Sequence, residues 1–140
     1  MAKNDKGGKR AADHAQMVLE RKALLSNRSD FYLREAYKTL RTNVTFSLAD
    51  VDGSKVIAVS SSAQSEGKSI TAANLALSFA QAGQRVLLID CDLRKPKIAR
   101  LLSMSAENGL VNALMDASKL EESIVPYGDT KLDVLLCGTI

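Results

Sequence analysis

Hydrophobic positions recur along this chain at two periods, and the switches between them divide it into elements. Phe31, Leu33, Ala36, Tyr37, Leu40, Val44 and Leu48 fall at three- and four-residue steps. That spacing predicts an amphipathic helix over about residues 30–48, capped by Ser29 or Asp30. After the turn signal Asp52-Gly53, a short apolar run at 55–60 reads as a strand. Ala72, Leu75, Ala76, Phe79 and Ala80 place a second helix at about 68–82, ended by Gly83, a residue suited to a left-handed cap. Residues 85–90 are apolar almost without interruption, as in a strand covered on both faces of a parallel sheet. Strand, helix and strand at this crossover length predict a right-handed parallel unit. Short helices at 97–102 and 110–116 and a third strand at 132–136 complete the pattern. The segment 121–124 carries no clear period. The expected class is α/β, a doubly wound parallel sheet preceded by an N-terminal helix.

Residues 1–29 differ in character. Lys3, Lys6, Lys9, Arg10, Arg21, Lys22 and Arg28 face only Asp5, Asp13 and Glu20, and no large apolar residue precedes Met17. With Gly7-Gly8, this predicts a basic, disordered tail with a frayed helix over 13–25. Such a tail suits an anionic lipid or nucleic acid, or is a plain solvated terminus. It has no interleaved aromatics, so no specific nucleic-acid platform is expected. His14 has no partners in the pattern. The 140 residues suit one domain or an unfinished one, with 46% apolar and 25% charged residues. No secretory signal opens the chain, and no apolar run approaches the roughly 18 residues of a membrane span. Cys91 and Cys137 lie far apart without CxxC or histidine neighbours, which predicts small buried thiols in a reduced, cytosolic protein.

The chemistry concentrates where the first two strands end. The run at 56–70 is a strand, a loop of small residues, then Gly67-Lys68-Ser69 opening a helix. Backbone amides of such a loop converge on phosphate oxygens, and the helix adds its positive dipole end. Lys68 reaches the β- and γ-phosphates as a point charge, Ser69 offers a hydroxyl to Mg²⁺, and Gly67 lets the main chain approach closely. Ser62 stands where the pattern usually has glycine or alanine. The second strand delivers Asp90-Cys91-Asp92-Leu93-Arg94 at its carboxyl end, where open α/β sheets bind ligands. Two carboxylates two residues apart on an extended chain share a side. One can serve Mg²⁺ and the other a proton from an attacking hydroxyl, while Arg94 neutralises phosphate or holds a carboxylate. A loop whose aspartates only cap the turn before Lys95-Pro96 is the alternative.

On these residues the chain resembles the bacterial tyrosine kinases (BY-kinases) of capsule and exopolysaccharide synthesis. The segment 60–69 is similar to their Walker A loop, and 86–96 to their Walker A′ motif. Glu35, Lys38 and Arg41 resemble the ExxRxxR helix through which family members form rings. The segments 109–114 and 132–138 resemble the later nucleotide-binding core. The resemblance implies ATP and Mg²⁺ as cofactors and transfer of the γ-phosphoryl group to tyrosine. Carried over by position, it implies catalytic Lys68, Asp90 and Asp92, and nucleotide contacts from Ser65, Glu66, Gly67, Lys68, Ser69, Ile70 and Arg94. Metal contacts would come from Ser69, Asp90 and Asp92, and ring contacts from Glu35, Lys38 and Arg41. It further implies a transmembrane polysaccharide chain-length regulator as partner, protein tyrosine substrates, and a cytoplasmic site at the inner face of the plasma membrane.

Departures from the family pattern matter as much. Ser65 replaces a glycine, and a positive φ there would carry a strain on the order of 1 kcal/mol. Lys38 replaces an arginine and gives up bidentate pairing. Ala63 replaces the signature lysine of ATPases that position cargo on surfaces, which argues against that reading. The family's Walker B aspartate and tyrosine cluster are not found; the tyrosines are Tyr32, Tyr37 and Tyr127. Residues 30–140 are therefore expected to be the N-terminal part of a kinase domain, weak or inactive alone. The alternative is a non-catalytic module for oligomerisation or adaptor binding.

Overall fold

The computed structural model describes residues 5–139; Lys3 of the basic tail and Ile140 lie outside them. The elements run α1 (Asp5–Lys22), α2 (Phe31–Ser47), α3 (Lys68–Gln81), β1 (Val86–Ile89), α4 (Ile98–Leu102) and α5 (Leu110–Met115). A 3₁₀ turn (Ala117–Lys119), α6 (Leu120–Ser123), β2 (Ile124–Pro126) and β3 (Leu132–Leu135) follow.

The sheet has the order β1-β3-β2. β1 and β3 pair in parallel, Val86 opposite Leu132 and Ile89 opposite Leu135. β2 runs antiparallel to β3, Val125 opposite Val134. The class is α/β as expected, with a small mixed sheet in place of a purely parallel one. β2 fits the unclear stretch near 124, and Pro126 is tolerated there because β2 is an edge. β3 is the buried centre: Leu132 and Val134 are fully enclosed. Ala73, Ala76, Leu77 and Ala80 of α3 and Ile98, Leu101 and Leu102 of α4 cover the same core. Alanines on α3 let its backbone sit close to the strands.

Three further expectations are corrected. The strand expected at 55–60 forms no ladder. The one pairing edge that β1 uses belongs to β3, and its other edge opens on a cleft of about 530 Å³ lined by Ile57, Val59, Leu75, Phe79 and Leu87. Val56, Ile57, Leu87 and Ile89 are exposed around it. The tail, expected to be disordered with a frayed helix over 13–25, is helical from further upstream, over Asp5–Lys22, with Arg21 and Lys22 in the last turn complementing the helix dipole. What holds it lies far along the chain. Leu25 is buried in the core, its amide donates to Asn74 Oδ1 at 2.7 Å, and Asn74 Nδ2 donates to the Ala23 carbonyl at 2.8 Å. Of the two thiols, Cys137 is buried as expected, whereas Cys91 is exposed; both are free. Burial, together with Asp90 and Asp92 nearby, pushes the Cys137 thiol upward and keeps it protonated.

Beyond β3 the chain caps α5 from outside. Leu110 and Val111 amides donate to the Leu136 and Cys137 carbonyls at 2.8 and 3.0 Å, and Gly109 N donates to Asn112 Oδ1 at 2.9 Å. This contact demands glycine at 109, because a Cβ there would meet the Leu136 carbonyl at 2.5 Å and the Gly138 backbone. Gly109→Ala should therefore cost about 2–3 kcal/mol, as an overpacked contact between two backbones. Urea denaturation checks it, and an unchanged midpoint would refute the close approach.

Candidate functional site

The phosphate-loop sequence forms the bend that the spacing predicted. Gly67 is the N-cap of α3 at φ 91°, and the first backbone bond of the helix runs from Thr71 N to Gly67 O at 2.9 Å. The amides of Lys68, Ser69 and Ile70 find no acceptor among the described residues. They are the orphan donors of a fourteen-residue helix and point where an anion is favoured. The loop is braced from within. Glu66 accepts from Ala63 N at 2.9 Å and from Ser62 Oγ at 3.2 Å, and Ser61 Oγ donates to the Ala63 carbonyl at 2.9 Å. Glu66 is thus a loop clamp by its contacts. Ser65 sits at φ 66°, the left-handed conformation in which a side chain is strained.

The two aspartates after β1 part company. Asp90 is buried, with Oδ1 accepting from Asp92 N and Oδ2 from Ile98 N, each at 3.1 Å. It ties the end of β1 to the first turn of α4. Asp92 instead faces the cleft, where Lys68 Nζ donates to its Oδ2 at 2.8 Å and Lys95 N to its Oδ1 at 3.0 Å. The Lys68 hydrogen bond, then the Lys95 amide, hold the Asp92 carboxyl below its ordinary value of 3.8. Of the two carboxylates expected to share the site, Asp92 lines the cleft, whereas Asp90 has both oxygens committed to backbone.

Ser65, Glu66, Gly67, Lys68, Ser69, Ile70 and Asp92 line one cleft of about 610 Å³. Arg94, expected beside the phosphates, is exposed and outside that lining. The chain direction after Asp92 brings Lys95, Lys97 and Arg100 there instead, and α1 contributes Asp13, Gln16 and Glu20. Lys95 falls inside the Walker A′-like segment without being singled out by it, and no motif marks the other five. The only sequence hint is the density of cations from Arg94 to Arg100. Among the described residues no cluster of three or more metal-ligating side chains exists. A magnesium ion fits the donor set all the same, because Mg²⁺ takes one or two protein oxygens and completes its shell with phosphate and water. Ser69 and Asp92 offer such oxygens at the cleft.

The α2 triad does not reach the cleft. Lys38 Nζ pairs with Glu35 at 2.7 Å on the solvent side, the intrahelical pair that the spacing permits. Arg41 turns inward, Nη1 donating to the Ser78 carbonyl at 2.6 Å and to Ser78 Oγ at 3.1 Å, which fastens α2 to α3.

A family model described as "ParA: NUBPL iron-transfer P-loop NTPase" matches residues 52–140. The tyrosine-protein kinase YwqD of Bacillus subtilis is 42% identical over 106 residues, covering 76% of this chain and 44% of its own length. The succinoglycan biosynthesis transport protein ExoP of Rhizobium meliloti is 41% identical over 85 residues, 61% of this chain and 11% of ExoP. Among solved structures, the kinase domain of the Escherichia coli tyrosine kinase ETK superposes with a TM-score of 0.71 at 30% identity, over 77% of this chain and 42% of that domain. The chain therefore spans less than half the length of each of these three proteins.

Two outcomes follow from the loop and the ion pair. Ser65→Gly should raise stability by about 1 kcal/mol, the left-handed penalty exceeding the added chain entropy of glycine; equal melting temperatures would contradict the strain. A carboxyl depressed on folding stabilises above its ordinary value and loses that contribution as pH falls through its folded value. Acidification below about pH 4 should accordingly destabilise the native chain more than Asp92→Asn. Thermal melts at stepped pH measure this, and parallel acid slopes would rule out the Lys68–Asp92 contribution.

Proposed function

The chain belongs to the ParA-type P-loop NTPases and, within them, to the bacterial tyrosine kinases (BY-kinases), and we propose that it binds ATP with Mg²⁺ for transfer of the γ-phosphoryl group to tyrosine hydroxyls. One observation carries the reading: the unpaired amides of Lys68, Ser69 and Ile70 open on the same cleft as the Lys68–Asp92 pair. In the absence of ligand the two charges satisfy each other at 2.8 Å. A triphosphate draws Lys68 onto its β- and γ-oxygens and frees Asp92. Asp92 would then be free to hold the metal and to accept from the attacking hydroxyl, with Asp90 as the positioning residue that fixes its loop. Ser69 Oγ would be the second protein oxygen available to the metal. Magnesium, when bound, neutralises charge on the transferring phosphoryl group. Gly67 and Ser65 shape the bend, and Glu66 braces it.

In this reading the physiological role is control of capsular or exopolysaccharide synthesis and export. The partners are a transmembrane polysaccharide chain-length regulator, protein tyrosine substrates and further copies in a ring. Contact with that regulator would hold the protein at the inner face of the plasma membrane; among the described residues no helix is long and apolar enough to cross a membrane. Ring contacts would use Glu35 and Lys38 at the exposed side of α2, while Arg41 serves the chain's own α3.

A second reading, a non-catalytic docking module, is favoured by α2 itself. No residue of α2 is buried, and Phe31, Tyr32 and Phe46 are 58, 79 and 75% exposed. Co-elution with a longer BY-kinase, without nucleotide binding, would support it.

The nucleotide reading is tested by titrating a fluorescent ATP analogue with Mg²⁺. Lys68→Ala should weaken binding about 10- to 100-fold, the worth of one or two charged hydrogen bonds, and chelation of Mg²⁺ should weaken it further. Undiminished binding in both cases defeats the proposal.

A further inference from the structure

No phosphate-binding motif accounts for α1, yet α1 forms one wall of the nucleotide cleft. Asp13, Gln16 and Glu20 recur at three- and four-residue steps and so share one helix face. That face lines the cavity opposite Lys68, Lys95, Lys97 and Arg100. Glu20 meets the Arg100 guanidinium at 3.3 Å, and Arg21 Nη2 donates to the Arg100 carbonyl at 3.3 Å. The firm attachment lies just beyond the helix, at Leu25 and the two Asn74 hydrogen bonds. The body of α1 has no comparable seat: Leu19 is 62% exposed.

Charge decides what this arrangement does. The cleft lining holds four cations, Lys68, Lys95, Lys97 and Arg100, and four carboxylates, Asp13, Glu20, Glu66 and Asp92. With α1 docked the cleft is neutral. α1 is basic overall, but none of its cations lines the cleft; with α1 swung away the lining keeps its four cations against two carboxylates, and Arg100 loses its partner, which favours a polyanion there. A carboxylate on Arg100 also presents the same anionic oxygen acceptor that a phosphate would.

We propose that α1 is a displaceable cover whose inner face is acidic, Glu20 holding Arg100 where a phosphate oxygen of the nucleotide would bind, so that α1 docking and polyphosphate binding oppose each other. The proposal rests on the nucleotide reading above and adds a regulatory device to the same site. Whatever pulls α1 off the cleft raises nucleotide occupancy. The hinge is the junction of Lys22 and Ala23, just before the Ala23 carbonyl that Asn74 holds, so the helix can leave without disturbing Leu25.

The test uses the whole chain, two probes and one control. Mg²⁺ with a fluorescent ATP analogue, and separately inorganic tripolyphosphate, are titrated into the native chain, Asp13→Asn/Glu20→Gln, and Asp129→Asn in a distant turn. Amide exchange of α1 is followed alongside. The double variant should bind both probes about five- to tenfold more tightly, each removed charge contributing as a partly exposed pair does. Asp129→Asn should not change affinity, and α1 amides should exchange faster when either probe is bound. Equal or weaker affinity in the double variant, or slower α1 exchange on binding, overturns the cover and makes α1 a clamp. Tripolyphosphate behaving as expected while ATP fails to bind leaves the cover standing and removes the nucleotide reading. If neither probe binds any variant, ligand-free exchange decides: α1 must exchange faster in the double variant, and unchanged exchange overturns the proposal.

Discussion

The buried carboxylate of Asp90 is the constraint on which the site depends. Its two oxygens take one amide from Asp92 and one from Ile98, so the chain leaving β1 has a fixed turn and α4 a fixed start. A carboxylate enclosed to that extent must be fully hydrogen-bonded, and here backbone alone satisfies it. What reaches the cleft from the β1–α4 side follows from the turn. Asp92 is carried out of the core to Lys68, Lys95 follows it, and Arg100 rides on α4 to the far wall. A residue that touches no ligand thereby sets the positions of several that would.

Local periodicity was a good guide wherever one element's own residues decide its state. α2, α3, β1 and β3 lie close to their predicted bounds because each carries its full apolar pattern within itself. The Walker-type motifs were legible for the same reason, since glycine, lysine and serine at fixed spacing dictate a bend. Prediction failed where the decisive partner is remote. Leu25 and Asn74 are 49 residues apart in sequence, and nothing near Asp5–Lys22 announces that α1 has a place to dock. The division of labour between Asp90 and Asp92 depends on Ile98, which no two-residue spacing can reveal. Arg94 and Lys95 lie side by side in the motif, and only the turn that Asp90 fixes decides that Lys95 lines the cleft.

Ring-forming and internal roles compete for the same helix. Arg41 was assigned outward by analogy, yet it spends its guanidinium on Ser78 of α3. The sequence could not distinguish the two uses, because both ask only for a cation on one flank of α2. Ser78 is buried and passes its own hydroxyl hydrogen bond to the Tyr37 carbonyl at 3.3 Å. Arg41 and Ser78 thus form the polar seam between α2 and α3.

The phosphate bend is moored on one side only. Downstream it continues into α3, whose alanines are locked in the core; upstream, residues 55–60 have no neighbouring strand. A tether fixed at a single end retains conformational entropy that a bound anion must remove, and this lost freedom subtracts from the observed affinity. Any contact that gave 55–60 a hydrogen-bonding neighbour would tighten ligand binding without touching the ligand.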